Sequence, residues 1–394
     1  MSFFPGRSRS DIQRPAVPHF PGAGVGGDGK GHPLDPDPGV ITHRLTPGRG
    51  FVLACDSHGG DISLRENKNS SAAMVSDRRT AVITGGASGM GLAVAHALTR
   101  SGGWDVTIID LDAAAGARAA ETITDTATTQ SSYTSSAMFQ QADITEYAAL
   151  AAAFEATFAR TGRLDFVYAN AGIAERGNFY GTHDTAGAAP PPPPDLLVSK
   201  INLDAVYTTT YLAQHYFRQT PQAALTQGPG SSSSTDQSIV MTASSGGIYP
   251  SGFCPLYTGA KHGVVGFMRA IAPSFYKNDK IRVNAVCPGP LRTGLLTKEA
   301  WDQFPQELLT DTDKVAAVVL MLIEGRDGAP ISETRIDGDR GVDGGGTDQD
   351  ALLWGNAVEI SGQRHYYRDA PGYSDDIMER NMIQCDPTVG SLRT

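Results

Sequence analysis

Tyr257 and Lys261 stand four residues apart in the stretch YTGAK. In a helix that spacing puts a phenol and an ammonium on one face, within reach of each other. A free tyrosine has a pKa near 10 and is a poor base at neutral pH, whereas a neighbouring cation favours the phenolate. Such a pair could take the hydroxyl proton of an alcohol while hydride leaves the carbon. The same spacing also occurs as a plain surface pair on a helix. The elements around it have to decide between the two.

A second constellation lies upstream. TGGASGMG, from Thr84 to Gly91, joins the apolar run TAVIT to the helical pattern GLAVAHALTR. Glycines there let the backbone turn tightly and approach a pyrophosphate, and the start of the helix favours negative charge. A second run, DVTIID, ends in Asp110, 25 residues after Gly85. An acid at that place accepts hydrogen bonds from an adenosine ribose. Asp112 adds negative charge, and neither the glycine loop nor the stretch just after Asp110 holds a Lys or Arg. A 2′-phosphate would be repelled, so the sequence favours NAD over NADP.

Strand and helix patterns alternate along the chain. Strands are expected at 80–84, 105–110, 137–143, 164–172, 238–245, 281–289 and 357–361. Helices are expected at 91–100, 148–160, 195–217, 257–272 and 312–324, with Pro273 ending or kinking the fourth. This alternation predicts one doubly wound α/β domain, a Rossmann fold with helices on both faces of a parallel sheet. AGAAPPPPPD, TQGPGSSSSTDQ and EGRDGAPISETRIDGDRGVDGGGTDQD interrupt the rhythm and read as surface insertions, near 183–195, 220–237 and 324–350. Residues 1–73 show no persistent period and read as a disordered extension, with FVLAC their one apolar patch. The domain is then expected over 74–370, with a tail at 371–394.

The motifs resemble those of the short-chain dehydrogenase/reductase family, over most of 77–362 and outside the insertions. Gly85, Gly89 and Gly91 resemble that family's cofactor loop, with Ser88 and Met90 within it. Asp143-Ile144 resembles its adenine-contacting pair, Asn170-Ala171-Gly172 its NAG, and Asn202 the asparagine of the next helix. Ser244 lies 13 residues before Tyr257, as in the family, and is favoured over Ser245 on that spacing. Pro288, Gly289 and Thr293 resemble the loop holding the nicotinamide. The stretch IRVNAVCPGPLRTGLL resembles the 15-hydroxyprostaglandin dehydrogenase branch. The spacing of Asn170 and Asn202, 32 residues, is long for the family.

What the resemblance implies is an NAD-dependent oxidoreductase acting on a secondary alcohol or ketone. Tyr257 would be the base, and Lys261 would support it and bind the nicotinamide ribose. Ser244 would hold the substrate oxygen, and Asn202 a water that relays the proton. Leu295, Leu296, Trp301 and Phe304 sit where the family places its lid and suggest an apolar substrate, unless they only pack the lid. A homodimer or homotetramer is expected through the helices at 195–217 and 257–272. The alternatives are an NADPH-dependent ketoreductase and a cofactor-binding sensor without turnover.

Bulk properties narrow the classes further. The net charge is −10 and the pI about 5.3, which argues against nucleic acid or anionic membrane as partners. Four cysteines without metal spacing suit a reducing compartment, and a cytoplasmic location is expected. A presequence is disfavoured by Asp11, Asp28, Asp35 and Asp37, and the triplet Asn69-Ser70-Ser71 is expected to stay unglycosylated. No metal site is expected: DGDRGVD puts Gly341 and Val342 where a calcium loop needs an acid and a glycine, and Asp348 where it needs Glu.

Overall fold

The structure is a computed structural model and describes residues 51–52, 65–66, 75–130, 135–181, 190–225, 237–327, 335–336 and 352–386. The expectations for most of 1–73, for Asn69-Ser70-Ser71, for DGDRGVD, for the tail beyond 386 and for the middle of each insertion lie outside the described residues. Contacts divide the chain into Met1–Asn69 and Ser70–Thr394. In the first unit Phe51–Val52 pairs antiparallel with Arg65–Glu66.

In the second unit eight strands are β1 (Arg79–Thr84), β2 (Trp104–Asp110), β3 (Ser136–Gln141), β4 (Phe166–Ala169), β5 (Ser238–Thr242), β6 (Arg282–Pro288), β7 (Ala357–Ser361) and β8 (Arg364–Arg368). They stand in the order β3-β2-β1-β4-β5-β6-β7-β8, with the two-residue segment Arg335–Ile336 outermost. β1 to β7 are parallel, and β8 returns antiparallel to β7. The strand order reverses between β1 and β4. The carboxyl ends of the strands at such a reversal are the usual ligand position of doubly wound sheets.

Both faces of the sheet are covered, which explains the unbroken apolar runs. Successive residues of β1 serve opposite cores: Val82 packs with one cluster, Ala81 and Ile83 with the other. On the first side lie α3 (Tyr147–Thr161), α4 (Ala205–Gln219) and α5 (Pro255–Asp279); on the second lie α1 (Gly89–Ser101), α2 (Ala113–Gln130) and α7 (Thr312–Glu324), numbered with α6 (Lys298–Asp302) and α8 (Asp376–Cys385) in chain order. Each fully buried large aliphatic side chain in these layers is worth roughly 1.5–3 kcal/mol. The fold class expected from the alternation is therefore present.

Three elements differ from the sequence reading. α2 was not foreseen, because its inward stripe is only Gly116, Ala119 and Ile123; a Cβ on Gly116 would lie 2.1 Å from Phe139 of β3. α5 does not end at Pro273 but runs to Asp279. Tertiary contacts hold its last turns: Arg218 bonds Asp279 at 2.7 Å, and Tyr276 stacks on Trp354 at 4.9 Å. The sheet does not close at β7, because Gly362 takes φ +55 in a two-residue turn that brings β8 back alongside. Among the described residues no helix is long and apolar enough to cross a membrane.

Candidate active site

The glycine loop leaves the end of β1 in a shape that only glycine supports. Gly85 and Gly89 hold φ +64 and +53. Gly91 is needed for space: a Cβ there would lie 2.3 Å from the Gly85 carbonyl oxygen and 2.8 Å from Asn170 Nδ2. Asn170 braces the loop. Its Nδ2 donates to the carbonyls of Thr84 and Gly85 at 3.1 and 3.2 Å. The N–H groups of Asn170 and Ala171 donate to Thr84 Oγ1 at 3.0 and 3.2 Å, and Thr242 Oγ1 donates to Asn170 Oδ1 at 3.1 Å.

This cradle opens on the first turn of α1, which contains no acidic residue. Ser88 takes the N-cap position with extended backbone, yet its side chain makes no capping bond. Unopposed N–H groups of that kind suit a pyrophosphate. Asp110, at the carboxyl end of β2, accepts the Ala87 N–H at 3.1 Å and the Asp112 N–H at 3.2 Å, so its charge sits against the loop. Asp143 Oδ1 accepts from the N–H and hydroxyl of Thr145, at 2.9 and 2.8 Å, and Ile144 packs at the edge of the α3–α5 core. Glycines packed too tightly for a Cβ, a bare helix start and an acid after the second strand together fit a dinucleotide.

Farther along the carboxyl ends of the strands Pro288 ends β6, and Gly289 donates to the Ile360 carbonyl at 2.8 Å. A Cβ on Gly89 would lie 3.1 Å from Thr293 Cγ2. Trp301 Nε1 donates to the Thr293 carbonyl at 2.8 Å, and its ring is buried against Phe304 at 5.4 Å. Trp301 thus packs the segment expected to form a lid and ties it to Thr293; Leu295, Phe304 and Leu308 are its large apolar side chains left exposed.

The groups expected to handle the proton lie where α5 passes the end of β5. Ser244 begins the short turn Ser245–Gly247, and its Oγ accepts the Gly246 N–H at 3.0 Å. The Ser244 and Tyr257 side chains converge on Gly246, where a Cβ would lie 3.5 Å from Ser244 Oγ and 3.5 Å from Tyr257 Cε1. Burial pushes the Tyr257 phenol above its ordinary value, and the nearby Ser244 hydroxyl pulls the other way. Lys261 lies one turn on, 2% exposed, with Nζ 5.7 Å from the centre of the Tyr257 ring. Its ammonium donates to the Thr242 carbonyl at 2.7 Å, and burial lowers it to about 8. The Cys287 thiol beside it is pushed up to about 12 by burial and stays neutral.

Asn202 is fully buried in a single π-turn, Lys200–Asp204, that leads into α4. Its Oδ1 accepts the Ile173 N–H at 2.8 Å, and its Nδ2 donates to the Ile173 carbonyl at 2.9 Å. These two bonds tie the side chain of Asn202 to the backbone of Ile173. A Cβ on Gly172 would lie 3.1 Å from Asn202 Oδ1 and 3.6 Å from Lys261 Nζ, so these groups converge on one bare α-carbon.

Two participants were missed in the sequence. Thr242 links Asn170, the Tyr168 hydroxyl and Lys261, using its side chain and its carbonyl. Glu175 accepts the Tyr257 N–H at 2.9 Å across 82 residues of chain. No pattern marked either one, because each acts on backbone or on a residue remote in sequence.

A family model described as short chain dehydrogenase matches residues 79–303. The chain is 41% identical to short-chain dehydrogenase/reductase prx7 of Penicillium rubens, over 76% of this chain and 96% of that one. It is 29% identical to human 15-hydroxyprostaglandin dehydrogenase (NAD(+)), over 55% of this chain and 70% of that protein. In fold it resembles the 3-ketoacyl-(acyl-carrier-protein) reductase of Brucella melitensis complexed with NADH, with a TM-score of 0.52, 24% identity, and coverage of 73% of this chain and 98% of the other. The glycine cradle, the doubly wound sheet and these matches agree, and the chain belongs to the short-chain dehydrogenase family.

Proposed function

We propose that this protein is an NAD-dependent dehydrogenase that interconverts a secondary alcohol and a ketone, with Tyr257 as the acid–base group. The observation that carries the reading is the convergence of Ser244 and the Tyr257 ring on Gly246, one helical turn from a buried lysine whose ammonium lies near Gly172. When bound, the nicotinamide cofactor supplies the hydride chemistry. The residues that would hold it are Gly85, Ser88, Gly89, Met90, Gly91, Asp110, Asp143, Ile144, Asn170, Ala171, Gly172, Pro288, Gly289 and Thr293, with Tyr257 and Lys261 at its reactive end.

In the oxidation direction Ser244 fixes the alcohol oxygen, and Tyr257 removes its proton. Burial makes the phenolate costly, so Lys261 must stay charged near the ring while Tyr257 works. The Thr242 carbonyl keeps that ammonium in place. Asn202 acts from behind by locking the loop at Ile173. The acid at 110 and the absence of a cation from the glycine loop support NAD over NADP, and the relative named for NAD(+) points the same way.

The test is a panel of secondary alcohols offered with NAD⁺ and with NADP⁺, following reduced cofactor by absorbance. The expected result is turnover that prefers NAD⁺ and drops at least ~100-fold in Tyr257→Phe, in the range of general acid–base catalysis. Near-normal turnover by Tyr257→Phe overturns the assignment of the base. Cofactor binding without turnover on any alcohol turns the reading toward a sensor.

A further inference from the structure

The loop that follows β4 touches each functional part of the site in turn. Asn170 holds the glycine loop, Ile173 holds Asn202, and Glu175 holds the start of α5. The last contact is unusual in kind. The first N–H groups of a helix have no partner inside it and are ordinarily capped by the residue just before. In α5 that residue is Cys254, whose side chain makes no capping bond, and Pro255 has no N–H to offer. Cys254 N–H reaches the Ser251 carbonyl at 3.3 Å. The N–H of Tyr257, third residue of the helix, is taken from outside, by Glu175 Oε2 at 2.9 Å.

We propose that Glu175 is a positioning residue for Tyr257: its carboxylate caps α5 at the residue that carries the phenol and fixes that residue to the loop bracing the cofactor cradle and Asn202. The proposal rests on the acid–base role given to Tyr257 above. A carboxylate suits the task, since negative charge is favoured at a helix start. With the contact removed, the first turn of α5 is left with an open donor, and nothing local replaces the cap. The phenol is then free to drift from Ser244, while Lys261, one turn deeper and held by Thr242, stays in place. The loss therefore falls on the chemical step and not on cofactor binding.

Glu175→Ala in the full chain should lower kcat about 10-fold and leave the KM for NAD⁺ within about 2-fold. Glu175→Gln keeps an oxygen that accepts the same bond and should restore kcat to within about 3-fold of wild type. In the cofactor-free protein, hydrogen exchange at the Tyr257 amide should be about 10-fold faster in the Ala variant than in wild type or Gln. If the Ala variant does not fold, Glu175→Asp carries the test, since it keeps the charge but withdraws the carboxylate by one methylene; the same losses are expected. Unchanged kcat in the Ala or Asp variant of an active enzyme, or a Gln variant as damaged as Ala, overturns the proposal. A wild-type protein silent on every alcohol overturns the oxidoreductase reading and the positioning role with it, while amide exchange still reports the contact.

Discussion

Around Thr84–Gly91 and Asn170–Gly172 the contacts run to backbone. Asn170 Nδ2 reaches two carbonyls, Thr84 Oγ1 takes two N–H groups, and Gly91 leaves no room for a Cβ. The loops proposed to meet the substrate, at the same end of the sheet, are built differently. These loops, 173–181, 249–254 and 293–309, present aromatic and aliphatic side chains to solvent: Phe253 fully, Tyr180 at 64% and Leu308 at 62% exposure. A cofactor shared by many enzymes demands a fixed backbone shape. A substrate peculiar to one enzyme is met by side chains, which change without disturbing the sheet.

The cofactor half should break outright when its shape is altered. Gly91→Ala forces a Cβ to 2.3 Å from the Gly85 carbonyl oxygen, so loop and helix must separate. Overpacking of this kind costs about 1–3 kcal/mol. NADH affinity, read by fluorescence titration, should fall by at least ~10-fold, and activity further still. Unchanged affinity would mean the cradle is softer than its spacing implies.

The next effect sharpens the comparison from within the cofactor half. Asp110 is a side-chain determinant set in a backbone site: its carboxylate lies against the loop at Ala87. Asp110→Ser with Leu111→Arg removes the repulsion toward a 2′-phosphate and adds a cation. The ratio of kcat/KM for NAD⁺ to that for NADP⁺ should fall by roughly 10-fold or more, about 1.4 kcal/mol at the lower bound. A wild type that already prefers NADP⁺ would show that Asp110 has been misread.

These two halves also differ in how far the sequence disclosed them. Gly85, Gly89, Gly91 and Asn170 were legible because a positive φ or a close approach admits few residue types. The strands β1, β2 and β4 to β6 were legible because burial on both faces demands apolar runs. For Trp301 the sequence left substrate contact and lid packing both open, and the structure turns its indole inward to Thr293. α2 stayed hidden because only Gly116, Ala119 and Ile123 make up its buried stripe. Pro273 misled, because the contacts of Tyr276 and Asp279 outweigh a broken helical hydrogen bond. Glu175 acts on a backbone N–H, and Thr242 acts on side chains remote in sequence, where a sequence leaves no mark.

A smaller effect is expected in the loops proposed to meet the substrate. Phe304 packs on Trp301 and remains 37% exposed at the lid. Phe304→Ala should leave NADH affinity unchanged and alter kcat/KM by a few-fold, most for the largest apolar alcohols, since one aromatic contact is worth roughly 0.5–1.5 kcal/mol beyond area burial. An equal loss for small and large alcohols would place Phe304 in the packing of the lid and not in substrate contact.

The smallest effect concerns Lys261, a charged side chain held by backbone inside the buried part of the site. Burial lowers it from 10.5 to about 8. Below about pH 8 the lysine is protonated in the folded and the unfolded chain alike. Between about 8 and 10.5 the unfolded chain keeps a proton that the folded chain has released, so this group adds stability as pH rises. Lys261→Met removes the titration and also the bond to the Thr242 carbonyl. The offset between the two proteins at pH 7 mixes both losses; the slope reports the charge alone. Melting temperatures of the cofactor-free proteins should therefore diverge with pH: from pH 8 to pH 10 wild type should gain on the Met variant by about 3 °C, corresponding to on the order of 1 kcal/mol for a domain of this size. Parallel curves would mean that the ammonium inside the site costs the fold little, and that Lys261 is better solvated than its burial implies.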